Sequence, residues 1–234
     1  MATVVGFNGA PGTRKMSRRA ARCEDIVRRL GDDIIHRRLA PGTRLDEHDI
    51  AKKAGSTRGP VREALELLIA AGLAEHIQYF GIAVASVVAD RLRDMFIVMA
   101  ELEAAAARLA AQRMSPAERR ALEDLHAASR EMVRQGSRDA YTAYNSEFHN
   151  LLYAGSHNRY LQDLLSTTRK HLSPFSRAQF NLLGRLAASH GEHDMVVQAI
   201  LRGDGAAAAE AMRKHVMTVS AAAAEYLDAQ TPKT

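Results

Sequence analysis

Two groups of side chains in this 234-residue sequence have the types and spacing to do chemistry. The first is the arginine pair of Thr57-Arg-Gly-Pro-Val-Arg-Glu-Ala-Leu65. Arg58 and Arg62 stand four apart, so on a helix they share one face, and Thr57 is a good N-cap for that helix. A helix N-terminus carrying two guanidinium groups suits DNA in two ways. Its free N–H groups and dipole favour phosphate, and Arg can contact guanine O6 and N7 together in the major groove. Either role is open to each arginine. The plain alternative is a pair of solvated arginines, with Arg62 bound to Glu66 one turn on.

The second group is histidine. Seven of the ten histidines fall at 126, 149, 157, 171, 190, 193 and 215, and three of these lie on apolar stripes. His149 follows Asn145 by one turn beside Tyr141, Phe148 and Leu152; His193 shares a stripe with Leu186, Val197 and Ile200; His215 shares one with Ala208, Met212 and Val219. Imidazoles that point inward need partners, because an unpaired buried polar group costs about 1 to 3 kcal/mol. A divalent metal would satisfy them together: three neutral nitrogens and a side-chain oxygen suit Zn²⁺ or Ni²⁺ and leave positions for water or a ligand carboxylate. Each histidine taken alone is better explained by a bond to a backbone carbonyl.

Other chemistry is poorly supported. One cysteine, Cys23, makes neither a disulfide framework nor a Cys-based zinc site. Without a nucleophile motif or a Gly-rich phosphate loop, an enzyme is not expected. A metal-dependent helical hydrolase using Glu147 or Glu192 as base is the alternative, alongside a non-specific nucleic-acid binder.

These groups need elements to position them, and the composition divides near residue 86. Residues 1–85 hold 14 Lys+Arg against 10 Asp+Glu, a net +4, whereas residues 86–234 hold 18 against 17, a net +1. The front third is therefore the part suited to phosphate. Residues 1–22, with Arg14, Lys15, Arg18, Arg19 and Arg22 and no acid, read as a flexible basic arm. Helical spacing of apolar residues runs from Cys23 to Arg38 and stops at Pro41-Gly42. A short helix from about Asp46 to Ala54 ends at Gly55, and a second from Thr57 to Ala71 ends at Gly72. Two β-prone segments around Gly81 then make a hairpin ending at Val87. The outline is a winged helix-turn-helix over 23–87. Residues 88–230 are rich in Ala, Leu, Glu and Arg. They divide at Ser115-Pro116, Gly136-Ser137, 156–158, Ser173-Pro174 and 203–205 into six helices of an antiparallel bundle. Ser115-Pro-Ala-Glu118 is a capping box. The longest uncharged apolar stretch, 77–89, is 13 residues, too short for a membrane span, and with no apolar run at the N-terminus a cytoplasmic protein is expected.

The motifs Leu39-Ala-Pro-Gly-Thr-Arg-Leu45, Ile50-Ala51, Gly55 to Leu65, Gly72-Leu73 and Gly81 resemble the DNA-binding domain of GntR-family bacterial transcription regulators. That resemblance implies contacts to double-stranded operator DNA from Thr57, Arg58, Arg62 and Gly81, with Arg44 and His48 as backbone contacts. Gly59 departs from the commoner Thr. Met99 to Ala111, Asn145-Ser-Glu-Phe-His149, Ser156-His-Asn158, Glu192-His193 and Met212-Arg-Lys-His215 resemble the helical FCD effector domain of the FadR-type branch. The resemblance implies a metal held at Asn145, His149, His193 and His215, with Asn145 where Asp is usual, and an effector pocket including Met99, where Arg is common, and Glu103. His190 is a secondary candidate for the metal set. The whole implies a homodimeric, ligand-responsive regulator, a repressor of a catabolic operon released by a small organic acid or related metabolite.

Overall fold

The computed structural model describes residues 18–85 and 89–229. Its order is α1 (Arg18–Ile35), α2 (Glu47–Ala54), α3 (Arg58–Ala70), β1 (Ala74–Ile77), β2 (Gly81–Val84), α4 (Ala89–Arg113), α5 (Pro116–Arg134), α6 (Arg138–Gly155), α7 (Arg159–Ala178), a 3-10 turn over Gln179–Asn181, α8 (Arg185–Leu201) and α9 (Gly205–Ala229). This is the mainly α architecture expected: a winged helix-turn-helix followed by a six-helix bundle.

Local chemistry sets the boundaries of the first domain. The Asp46 carboxylate caps α2 by accepting from the His48 and Asp49 N–H groups. Gly55 ends it with φ 57°, its N–H returning to Ala51 and Lys52. Thr57 stands at the N-cap of α3 with extended backbone, but its hydroxyl makes no cap bond, contrary to expectation. In the wing, Ala74 pairs with Val84 and Ile77 with Gly81, and an isolated bridge from Arg44 to Ala83 adds a third chain segment to the sheet. Ile26, Ile34, Ile35, Val61, Leu65, Leu68 and Leu73 are buried beneath these elements.

In the bundle, α4 packs most extensively on α9. Both offer alanines at the contact, and Gly205 at the start of α9 lies so close to α4 that an added Cβ would sit 3.2 Å from the Arg108 carbonyl oxygen. The Ser115 capping box forms in both directions, Glu118 N–H to Ser115 Oγ and Ser115 N–H to Glu118.

Three boundaries differ from the sequence reading. Residues 18–22 of the expected arm are the first turns of α1, while 1–17 lie outside the described residues. Helix α1 ends at Ile35, not Arg38. Ser173-Pro174 does not divide two helices: α7 runs through Pro174, and the break falls at the 3-10 turn and Gly184. Tertiary packing overrides the proline, which is buried against α1 at Gly31, where an added Cβ would meet the ring at 3.1 Å. Beside it, Arg177 Nη2 donates to Asp32 Oδ1 at 3.2 Å. Helix α7 is thus one of the bundle elements that meet the DNA-binding domain.

Gly31→Leu should overpack that seam at a cost of about 1–3 kcal/mol. Urea unfolding of the full chain should show the loss, and a midpoint equal to wild type would mean the seam is not tightly packed.

Candidate functional site

Two sites emerge. On the wing face, Arg44, His48, Arg58 and Gly81 line one open depression together with His76, Asp46 and Glu47. Thr57 and Arg62 lie outside its lining, though both are exposed. Arg62 does not pair with Glu66; its Nε and Nη2 each donate to a carboxylate oxygen of Glu47, at 3.1 Å. Glu47 sits on α2, so the turn between the two helices delivers a partner that helical spacing within α3 does not show. Arg58 makes no hydrogen bond among the described residues. Arg44 lies 5.9 Å from the Phe80 ring centroid, a cation–π contact at the hairpin tip. His76, on β1, was not anticipated; it is exposed and lies on the wing face.

Inside the bundle, His149 of α6, His193 of α8 and His215 of α9 converge. One ring nitrogen of each lies within 4.8 Å of the others, and all three residues are buried. Each ring has its Nδ1 against a polar partner, through a close charge contact in His149 and a hydrogen bond in His193 and His215. His149 Nδ1 is 2.7 Å from Glu103 Oε2, His193 Nδ1 is 3.2 Å from the Tyr144 hydroxyl, and His215 Nδ1 is 2.7 Å from Glu192 Oε2. The two carboxylates are held in turn by arginines. Arg169 Nη1 donates to Glu103 Oε1 at 2.9 Å, and Arg185 grips Glu192 through two bonds of 2.8 and 2.7 Å. Phe148 stacks on His193 with centroids 4.0 Å apart.

This arrangement fits a metal. An Nδ1–H facing a carboxylate leaves Nε2 as the lone-pair nitrogen, the usual outer support of a metal-bound histidine. The His193 and His215 Nε2 atoms lie 3.3 Å apart, about the edge of a tetrahedron with metal–nitrogen bonds near 2.0–2.1 Å. Asn145 lines the same cavity, buried, and its amide makes no hydrogen bond among the described residues, so its oxygen is available. Met99 and Glu103 line it too. His190 is not part of the group. It stacks on His126 at 4.4 Å and meets Ser129 Oγ at 3.0 Å, while His126 Nδ1 contacts the Tyr144 hydroxyl at 2.7 Å.

Sequence reasoning missed Tyr144, Arg169 and Arg185. Their partners lie 49, 66 and 7 residues away, and only the Arg185–Glu192 spacing of two helical turns was a signal.

Burial above all keeps the His149 and His193 imidazoles neutral. Burial, then the Arg169 charge, lowers His149 to about 4, and burial drives His193 well below the ordinary value. Burial alone would raise Glu103, but His149 and Arg169 hold it down to about 2. Glu192 is lowered against burial by its bonds from His215 and Arg185.

The protein-family model for bacterial regulatory proteins of the gntR family matches residues 22–84, and that for the FCD domain matches residues 94–218. The chain belongs to the GntR family. It is 30% identical over 210 residues to the HTH-type transcriptional repressor GlaR of Escherichia coli K12, covering 83% of this chain and 92% of that one. It is 31% identical over 133 residues to the uncharacterized regulator YdhC of Bacillus subtilis, covering 56% of this chain and 59% of that one. E. coli McbR/YncC shares the fold, with TM-score 0.67 and 18% identity over 87% of this chain and 97% of that one. This GntR-family protein is therefore a transcription regulator with a DNA-binding domain and an FCD domain, not an enzyme. Among the described residues no helix is long and apolar enough to cross a membrane.

Linkage gives a pH signature for the metal-free protein. The unfolded chain protonates His149 and His193 below about 6.5, while the folded rings resist. Their stabilisation is complete above 6.5 and lost on acidification, by up to about 1.4 kcal/mol per pH unit for each ring. Glu103 acts lower, losing its share between 4.5 and about 2. Thermal melting with chelator present should fall steadily from pH 7 to 5, less steeply in His149→Gln; a flat profile would contradict neutral buried rings.

Proposed function

We propose that the protein is a homodimeric, ligand-responsive repressor that reads a short palindromic operator and is released by a small organic acid. The observation that carries this is the convergence of three imidazoles in a bundle whose helix α7 also meets the DNA-binding domain. The names of two relatives, the repressors GlaR and RspR of E. coli K12, support the sign of regulation.

In this reading the start of α3 enters the major groove, with Thr57, Arg58 and Arg62 at base edges or phosphates and Gly81 at the wing tip; Arg44 and His48 contact the backbone. The two heads of the dimer meet half-sites about one helical turn apart. Exposed Ile97 and Val98 on α4 offer an apolar face for the second copy. His149, His193 and His215, completed by Asn145, would hold Zn²⁺ or Ni²⁺, and the ion would supply open coordination positions to an oxygen-bearing effector. The chain's own residues do the rest. Glu103, Tyr144 and Glu192 orient the rings, and the apolar wall by Met99 excludes water. An effector changes DNA affinity only if it prefers one spacing of the heads.

Two measurements test the reading. Arg58→Ala should weaken binding to a selected operator by about 1–3 kcal/mol if it reads a base, and evenly across sequences if it holds phosphate; no change would remove Arg58 from the interface. Metal analysis should find one ion per chain in protein purified without chelator, lost in His149→Ala and His193→Ala. Absence of any ion in wild type would leave the histidines structural.

A further inference from the structure

Two of the three converging imidazoles face a partner that can only accept. His149 Nδ1 lies 2.7 Å from Glu103 Oε2 and His215 Nδ1 lies 2.7 Å from Glu192 Oε2, so a proton on Nδ1 suits both rings and leaves Nε2 bare. His193 is the exception. Its Nδ1 is 3.2 Å from the Tyr144 hydroxyl, which can donate or accept. Its Nε2 is 3.3 Å from His215 Nε2, so a proton placed there would point at that bare nitrogen and close the site to an ion. A group beyond Tyr144 has to decide between the two.

The hydroxyl has one proton and a second ring beside it. His126 Nδ1, from α5, is 2.7 Å from the Tyr144 oxygen, and His126 Nε2 lies 3.4 Å from Asp194 Oδ1. That last approach is a charge contact, and His126 Nε2 makes no hydrogen bond among the described residues. Burial, then the charge of His190, lowers His126 below the ordinary histidine range, and burial raises the Tyr144 phenol above its own. Each group therefore carries one proton to place.

Two arrangements of these protons make every bond. In the first, His193 Nδ1–H donates to Tyr144, Tyr144 donates to His126 Nδ1, and His126 Nε2–H faces Asp194. In the second each bond is reversed, His193 carries its proton on Nε2, and a bare His126 lone pair faces the Asp194 carboxylate. Lone pair against negative charge is repulsive, so Asp194 disfavours the second. The distances agree with the first: 2.7 Å is usual where a hydroxyl donates, and 3.2 Å lies within the range for an N–H donor. His190 does not compete for Tyr144, because it stacks on His126 at 4.4 Å with its Nδ1 on Ser129 Oγ at 3.0 Å.

We infer, resting on the reading of the three histidines as a metal site, that Asp194 is a positioning residue for the ion: through His126 and Tyr144 it holds His193 with Nε2 bare. Asp194 follows His193 directly on α8, yet its half-exposed side chain turns to α5. It acts on the site from outside, along a hydrogen-bonded line that only His193 ends at the metal.

Nitrogen-15 NMR of the histidine-labelled, metal-free full-length protein at about pH 8, above the ordinary histidine range, reads the tautomers directly. In wild type His193 should carry its proton on Nδ1 and His126 on Nε2. Asp194→Asn, whose amide both donates and accepts, and Tyr144→Phe should each move His193 toward the Nε2–H form. Zinc affinity, measured by competition with a chromophoric chelator, should fall about 10–100-fold in Tyr144→Phe and toward the lower end of that range in Asp194→Asn. The double variant should bind zinc no more weakly than Tyr144→Phe alone, because the line is already cut. A further loss in the double variant would mean that Asp194 acts by its charge alone, and would overturn the inference. An Nε2–H His193 in wild type, or a tautomer that neither substitution moves, would overturn it as well, while zinc binding by wild type keeps the metal reading. Failure of wild type to bind zinc, with the tautomers as expected, would overturn the metal reading and with it the role assigned to Asp194.

Discussion

Three imidazoles buried in an apolar bundle impose the constraint on which the FCD domain depends. Each ring would lose more by desolvation than it gains from packing unless one nitrogen finds a partner. Glu103 of α4, Tyr144 of α6 and Glu192 of α8 provide those partners. Two of the three are carboxylates, and a buried carboxylate needs its own counter-charge, which Arg169 and Arg185 bring. The outcome is a connected set of polar groups linking α4, α6, α7, α8 and α9. Hydrogen bonds at Nδ1 of His193 and His215 leave their Nε2 atoms 3.3 Å apart and free to share one ion, so the supports help to define the candidate metal position.

Helix α7 joins this polar set to the winged helix. Arg169 touches Glu103, and two turns later Arg177 bonds Asp32 of α1. Between them Pro174 lies against Gly31, a contact between rigid groups with no long side chain to absorb a shift. The far end of the chain adds a second tie, where Tyr226 of α9 meets the His36 ring edge-on at 5.6 Å. A change in the cavity wall therefore has a short physical route to the first helix of the DNA-binding domain.

Much of this was legible in the sequence because the signals are local. Gly55 after α2, the Ser115 box and the helical stripes of His149, His193 and His215 each depend on residues within a turn or two. What was not legible depends on partners brought in by folding. Arg169 sits in Leu-Ser-Thr-Thr-Arg-Lys, a stretch that reads as a solvated helix face until Glu103 arrives from 66 residues away. Pro174 reads as a helix boundary until Gly31 packs against it. His190 shares the spacing logic of His193, yet the helix turns it to His126 and Ser129.

The same distinction separates the two arginines of α3. The Arg58 side chain makes no hydrogen bond among the described residues, although its charge helps to lower Glu47. Arg62 is already engaged with Glu47 by two bonds, each group exposed enough that the pair is worth little by itself. Its value lies in orientation, because the carboxylate holds the guanidinium in one of its many rotamers before DNA arrives. Contact with a phosphate would place a second anion near Glu47, and that repulsion offsets part of the gain. Contact with guanine brings no such charge, since O6 and N7 are neutral acceptors. With Glu47 in place, α2 and α3 treat the two arginines differently: a further anion at Arg62 would meet the carboxylate already bonded there, whereas a neutral acceptor would not.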